Sequence, residues 1–387
     1  MEQPAQQCAS SSRHAARIPA IIFANAESGL KIAALTVLDR LVVAIHRGGA
    51  GPITIVTDAA LPEMKRAKAL GIQIQVAHDL PQIEGKVLVA RGNVLVQTAD
   101  VRRCLQICGT LVQKKQSVGI GVLGTEELAG AVGSSPSLLN NLDTELARVP
   151  TVDANGVACV VRSSAEAKAA ERALWSTMTS SSDGFVDRVF NRPFGRFLSK
   201  ALIHSPVSPN MVSVASILIG VLGAIFLAEG GYQSALIGAI LFQISAIVDC
   251  VDGDIARMVF KESPLGKWID LAGDQIVHIS VFAAIAFGVL RNGGEKEIIF
   301  LGASAVLGAL ISFGVVLRGM RQPAGANGSL QKLIDAATNR DFSVIVLALA
   351  LAGKLWIFVW MAGIGSHLFW ITALGLQLTH KPPTRAK

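Results

Sequence analysis

Hydrophobic positions divide the chain into two halves with different rhythms. In the first half, short β-branched runs alternate with amphipathic helical patterns. Strands are expected at 18–24, 53–57, 72–76, 87–90, 118–122 and 157–162, and helices at 32–46, 61–70, 99–111 and 126–132. This βαβ rhythm predicts an α/β domain with a mostly parallel sheet, helices on both faces and ligands at the carboxyl ends of the strands. After residue 209 the pattern changes to long apolar runs, at about 211–228, 233–258, 268–290, 298–318, 342–353 and 355–378. Six transmembrane helices are expected from them, forming an all-α polytopic membrane domain over 210–379. The fifth run is short for a hydrocarbon core ~30 Å thick.

The two halves are joined by 163–209. A polar helix is expected at 163–179 with Ser163 or Ser164 as N-cap, then a Ser/Gly linker at 180–184. Residues 185–204 place Arg188, Arg192, Arg196 and Lys200 every four residues beside Phe185, Phe190, Phe194, Phe197 and Leu198. A basic amphipathic helix at a membrane border reads as interfacial, and Pro193 is expected to divide it. Residues 1–17 form a polar lead, expected to be disordered and lacking the apolar segment of a signal peptide.

Composition adds location. Half of the residues (51%) are hydrophobic, with mean hydropathy +0.50, and the excess lies after residue 209. The net charge of +7 is not interleaved with base-stacking aromatics, so no nucleic-acid partner is expected. The five cysteines lack paired metal spacing, and their odd number speaks against a disulfide framework. If the soluble half is cytoplasmic, the same side carries Arg257, Lys261, Lys267, Arg318, Arg321, Lys332, Arg340, Lys381, Arg385 and Lys387. The short opposite loops carry Arg291, Lys296 and Lys354. That asymmetry satisfies the positive-inside rule and predicts a cell inner-membrane protein.

The chemistry is concentrated between the second and third runs. Asp249 and Asp252 are i,i+3 on one helix, and Asp270 and Asp274 are i,i+4 on the next, with a Pro-containing turn at 261–266 between them. Two helices can thus direct four carboxylates to one point. Carboxylates so placed repel unless cations lie between them, and hard oxygen ligands suit Mg²⁺ or Mn²⁺, two ions by count. Structural pairing with Arg257 or Lys267, or an ion pathway, are the competing readings of acids in a membrane.

The spacing D-x2-D-G-x2-A-R-x8-G-x3-D-x3-D, filled by Asp249, Asp252, Gly253, Ala256, Arg257, Gly266, Asp270 and Asp274, resembles the CDP-alcohol phosphotransferase (phosphatidyltransferase) family over the last half of the chain. Ser208-Pro209-Asn210 resembles the family's entry to its first span, and the family also carries a juxtamembrane helix. The resemblance implies a transferase whose metal ligands are Asp249, Asp252, Asp270 and Asp274, with Asp274 also the general base. Asp252, Gly253, Ala256, Arg257 and Gly266 would bind the CDP moiety, with Gly253 allowing close approach and Arg257 pairing with phosphate or bracing an aspartate. Asp254 stands outside the pattern and receives no role. Arg318 and Arg321, with Arg340 a weaker candidate, could clamp an acceptor phosphate or anchor the helix at the bilayer. The expected partners are a CDP-alcohol donor, a hydroxyl acceptor such as inositol phosphate or a lipid head group, the bilayer and a second copy of the chain.

The first half, at 18–162, resembles the nucleotidyltransferase-like, Rossmann-like fold of sugar-phosphate cytidylyltransferases in the stretches 37–42, 51–57, 87–93 and 152–157. The fusion resembles bifunctional inositol-phosphate cytidylyltransferase/di-myo-inositol-phosphate phosphate synthases. Two positions depart from that pattern. Glu27 stands in the loop that should cradle a triphosphate, and Asn93 stands where a metal-binding Asp is expected. A non-catalytic domain is expected from those losses. A bifunctional enzyme with an active cytidylyltransferase half, and a non-catalytic transporter or anchor, remain the alternatives.

Overall fold

A computed structural model describes residues 17–132, 141–178, 186–320 and 342–379; the polar lead at 1–16 and the linker at 180–184 lie outside them. The chain forms two compact units, Met1–Met178 and Thr179–Lys387.

The first unit is built on a seven-stranded sheet of β1 (Ala20–Phe23), β4 (Ile53–Val56), β5 (Ile74–Ala77), β6 (Val87–Arg91), β8 (Thr110–Gln113), β9 (Gln116–Leu123) and β10 (Thr151–Asp153). The order is β10-β8-β9-β6-β1-β4-β5. Every pairing is parallel except those of β9, which runs antiparallel to β6 and β8. Two small sheets pair β2 (Lys31–Ile32) with β3 (Leu35–Thr36), and β7 (Val94–Leu95) with β11 (Cys159–Val160). All four residues of β1 are buried, as a strand covered on both faces requires. Ile21 and Phe23 pack with Val87, Val89, Leu142 and Leu146 on one face.

Several expected elements are trimmed, each for a local reason. The helix expected at 32–46 is a β2–β3 hairpin followed by α1 (Val37–Gly48). Thr36 stops the hairpin by accepting from Asp39 N–H at 3.2 Å as the N-cap. The helix at 61–70 contracts to α2 (Lys65–Ala69), whose first N–H groups, at Arg66 and Ala67, both donate 2.8 Å bonds to the buried Asp39 carboxylate. Burial pushes that carboxyl above its usual range, and the two backbone donors oppose the shift. The helix at 99–111 ends early, as α3 (Thr98–Ile107), because Cys108 turns left-handed (φ 55°) and frees 110–113 for β8. Within α3 the buried Cys104 thiol is pushed up to about 12 by burial. The strand at 157–162 survives as the two residues of β11. The remaining helices are α4 (Thr125–Val132), α5 (Leu142–Leu146) and α6 (Ser164–Thr177). Ser163 caps α6, and Glu171 on α6 accepts from Ala33 N–H at 2.8 Å, which ties this helix to the first unit.

The second unit is all-helical among the described residues. A π-helical turn at Asp187–Asn191 leads into α7 (Arg192–Leu202), with Pro193 in the first turn of α7. Among the described residues, five helices are long and apolar enough to cross a membrane: α8 (Pro209–Glu229), α9 (Tyr232–Met258), α10 (Pro264–Arg291), α11 (Glu297–Met320) and α13 (Leu355–Thr379). The fifth expected span, at 342–353, is described from Phe342 as the ten-residue α12 (Phe342–Leu351), and residues 321–341 before it lie outside the described residues. Helices α8 and α9 approach closely because Gly223 and Gly238 face each other, and a methyl on either would meet the other's carbonyl oxygen. Phe242, Val277, Val281, Val346 and Phe358 fill the centre of the bundle.

Candidate active site

The turn between α9 and α10 positions the acidic cluster. Pro264 opens α10, where its missing N–H costs no bond. Ser263 is the N-cap and accepts from Gly266 N–H at 2.9 Å. Gly266 therefore lies in the first turn of α10. A Cβ there would come within 3.0 Å of Asn210 Oδ1, so the glycine leaves room for the Ser-Pro-Asn entry of α8.

Asp249 from α9 and Asp270 and Asp274 from α10 bring carboxylate oxygens within 4.8 Å of one another. Asp252, one turn beyond Asp249, is buried and accepts a short hydrogen bond from Ser213 Oγ on α8. Ser216, one turn further along α8, is 3.2 Å from Asp249 Oδ1 and 2.8 Å from Ser213 O. Ser245 Oγ in turn donates to Ser216 O at 2.7 Å. Ser213 and Ser216, which touch the acidic residues, had no place in the sequence pattern. Their i,i+3 spacing after Ser208-Pro209 was the available signal. They orient the carboxylates as outer partners do around metal ligands. Helix α10 also comes close to α8 just before Asp274: a Cβ at Gly273 would collide with the side chain of Ile217. The donor set is entirely hard oxygen, from side chains held by packed helices, and it fits a divalent cation.

The remaining motif residues separate by role. Arg257 braces an aspartate, but the aspartate is Asp254: Arg257 Nη2 lies 3.1 Å from Asp254 Oδ1. The Arg257 guanidinium packs beside Gly253, 3.4 Å from where a Cβ would be. Ala256 is half-buried on the same helix. Arg318 is exposed in the last turn of α11, and Arg321 and Arg340 lie outside the described residues. The basic stripe of 185–204 does not point uniformly outward. Arg192 is buried and its Nη1 lies 2.5 Å from Asp254 Oδ1. Asn191 is also buried, donating to Asp187 Oδ1 at 2.7 Å and accepting from Gln243 Nε2 at 2.6 Å. Phe190, Phe194 and Phe197 are the outward side chains, 40%, 56% and 81% exposed. The phenylalanines of this segment therefore face outward while a polar edge docks on α9.

Residues 206–379, with every one of these motif positions, match the model of the CDP-alcohol phosphatidyltransferase family. The C-terminal half of the chain is a CDP-alcohol phosphatidyltransferase domain. A Thermococcus kodakarensis protein described as a bifunctional IPC transferase and DIPP synthase is 32% identical over 147 residues, 38% of this chain and 32% of its own. The match thus spans about a third of that relative's length. A Pyrococcus horikoshii archaetidylinositol phosphate synthase is 25% identical over 175 residues, 45% of this chain and 84% of its own. Among solved structures, the Mycobacterium tuberculosis phosphatidylinositol phosphate synthase with CDP-DAG bound aligns at 14% identity and TM-score 0.40, covering 50% of this chain and 97% of that one. In the phosphatidyltransferase domain the family's aspartate pattern falls on the helix ends that meet across one short turn.

In the first unit, the two positions that depart from the nucleotidyltransferase pattern touch. Asn93 Nδ2 donates a short hydrogen bond to the Glu27 carboxylate and also faces Val161 O at 3.2 Å. Asn25 caps the 3₁₀ turn that carries Glu27 (Ala26–Gly29) in a reciprocal capping box with Ser28.

Proposed function

We propose that this chain is an integral-membrane transferase that moves a substituted phosphate from a CDP-alcohol to an acceptor hydroxyl and releases CMP. The observation that carries this reading is the meeting of the Asp249, Asp270 and Asp274 carboxylates within 4.8 Å, from two helices of a phosphatidyltransferase domain. Asp249, Asp252, Asp270 and Asp274 would hold two divalent ions, Mg²⁺ or Mn²⁺, which neutralise the donor pyrophosphate and stabilise departing CMP. Asp274 takes the proton from the acceptor hydroxyl as its oxygen bonds to the phosphorus that carries the donor alcohol. The bond from that phosphorus to CMP breaks, and its electron pair leaves on CMP. Gly253, Ala256 and Gly266 leave room for the nucleotide beside α9 and α10, and Arg257 meets its phosphates.

The names of the relatives favour an inositol-phosphate acceptor, which Arg318, Arg321 and Arg340 would clamp. The acidic cluster faces the cytoplasm of the cell inner membrane in this reading, and the active form is a homodimer. The first unit, over 18–162, is a nucleotidyltransferase-like domain that has lost catalysis. Glu27 bonded to Asn93 supports that, because an acid and an amide occupy the place of a phosphate cradle and a metal ligand.

The test is to incubate the purified full chain with Mn²⁺, with CDP-diacylglycerol or CDP-inositol, and with inositol phosphate, and to weigh the products. Chelator-sensitive CMP release with one new phosphodiester is expected. No product from any donor would reject the transferase reading. The same material tests the first unit. Asn93→Ala should leave CMP release within about twofold, since distant and independent sites act separately and Asn93 belongs to the first unit while the acidic cluster belongs to the second. Pyrophosphate release from CTP that disappears in that variant would instead establish the bifunctional enzyme.

A further inference from the structure

We infer that Arg192 and Asp254 form a positioning device that keeps the Arg257 guanidinium available to the donor's pyrophosphate, an inference that rests on the transferase reading above. Asp254 follows Asp252 by two residues on α9, so it points to the other side of the helix from the acidic cluster. It is wholly buried. A lone carboxylate is costly at such a site, and Asp254 is met by two cations: Arg192 Nη1 at 2.5 Å and Arg257 Nη2 at 3.1 Å. Both contact the same oxygen, Oδ1. The other oxygen, Oδ2, is buried without a hydrogen-bond partner, and so is Arg257 Nε.

Arg192 and Arg257 share one oxygen of Asp254, and this leaves Arg257 only half engaged. A guanidinium facing one carboxylate with no competitor closes on it bidentately, with two parallel hydrogen bonds. Asp254 Oδ2 is the open acceptor for that closure. Arg192 opposes it by holding Oδ1 from a different element, 62 positions earlier in the chain. Arg257 stays beside Gly253, with its side chain 38% exposed, next to the motif that meets the donor. Because Arg192 belongs to the helix whose phenylalanines face outward, the seating of α7 and the binding of donor share a single carboxylate.

The experiment compares Arg192→Ala, Arg192→Lys and the double variant Arg192→Ala/Asp254→Ala in the full-length protein. Donor KM, acceptor KM, kcat and melting temperature are measured for each. Arg192→Ala should raise donor KM about 10-fold to 100-fold, the range for losing a charge-assisted hydrogen bond, with acceptor KM and kcat nearly unchanged. Arg192→Lys should keep a near-normal donor KM. The double variant should recover much of the donor KM, because Arg257 then has no carboxylate to close on, even though its melting temperature is no higher than that of Arg192→Ala. A donor KM that merely follows melting temperature through the series, or no recovery in the double variant, would show that the pair only docks α7 and would overturn the inference. Unchanged donor KM in an active Arg192→Ala enzyme overturns it too, while absence of transfer by the unaltered protein overturns the functional reading and this inference with it.

Discussion

Asp249→Asn should leave no measurable transfer and weaken Mn²⁺ binding by more than about 100-fold, beyond what loss of a second-layer partner usually costs. An amide keeps the shape of the carboxylate but brings no charge to balance the cation, and one of its two heavy atoms is a donor. Asp249 is the one member of the close carboxylate group that α9 supplies, so nothing on that helix replaces it within the same 4.8 Å. Asp252→Asn should also stop transfer, with a smaller loss of metal binding, since its carboxylate already accepts a hydrogen bond from Ser213 and stands outside the close group of three. Mn²⁺ titration by paramagnetic resonance, beside turnover, checks both. Full activity in the two variants would remove the binuclear reading.

Asp274→Asn should behave differently. Its expected defect is in kcat, about 10²-fold to 10⁴-fold for loss of a general base, with donor affinity largely kept. Asp274 is one turn beyond Asp270 and half-buried, on the side of α10 that faces Asp249. It can therefore receive a proton without leaving the cluster. Donor affinity and turnover measured side by side for Asp249→Asn and Asp274→Asn separate the roles. Loss of donor binding in Asp274→Asn, with near-normal residual turnover at saturating metal, would make Asp274 a ligand only, and the proton would have to leave by another carboxylate.

The acidic cluster was legible because everything that builds it is local. Two helices flank one turn, and the i,i+3 and i,i+4 spacings fix which carboxylates share a face. The α/β rhythm of the first half was legible for the same reason: buried parallel strands such as β1 and β6 are continuous apolar runs. What escaped notice depends on distant chain. Asp254 looked like an unassigned acid until Arg192 arrived from 62 positions away. The basic stripe looked uniformly interfacial because spacing cannot tell which of four cations will be buried. Strands β8 and β10 are too short to declare a period, and they exist because neighbours supply their hydrogen bonds.

Gly273 carries a consequence for metal preference. The bond length of an ion to oxygen is set by its own chemistry, about 2.0–2.1 Å for Mg²⁺ and 2.3–2.6 Å for Ca²⁺. Carboxylates on separate helices can match one or the other only through the distance between their backbones. Next to Asp274, that distance is limited by Ile217 lying where a side chain on residue 273 would be. If the cluster holds a cation, the gauge that sizes it is an absent methyl group between two packed helices, and a substitution that touches no oxygen atom would retune which cation the oxygens grip.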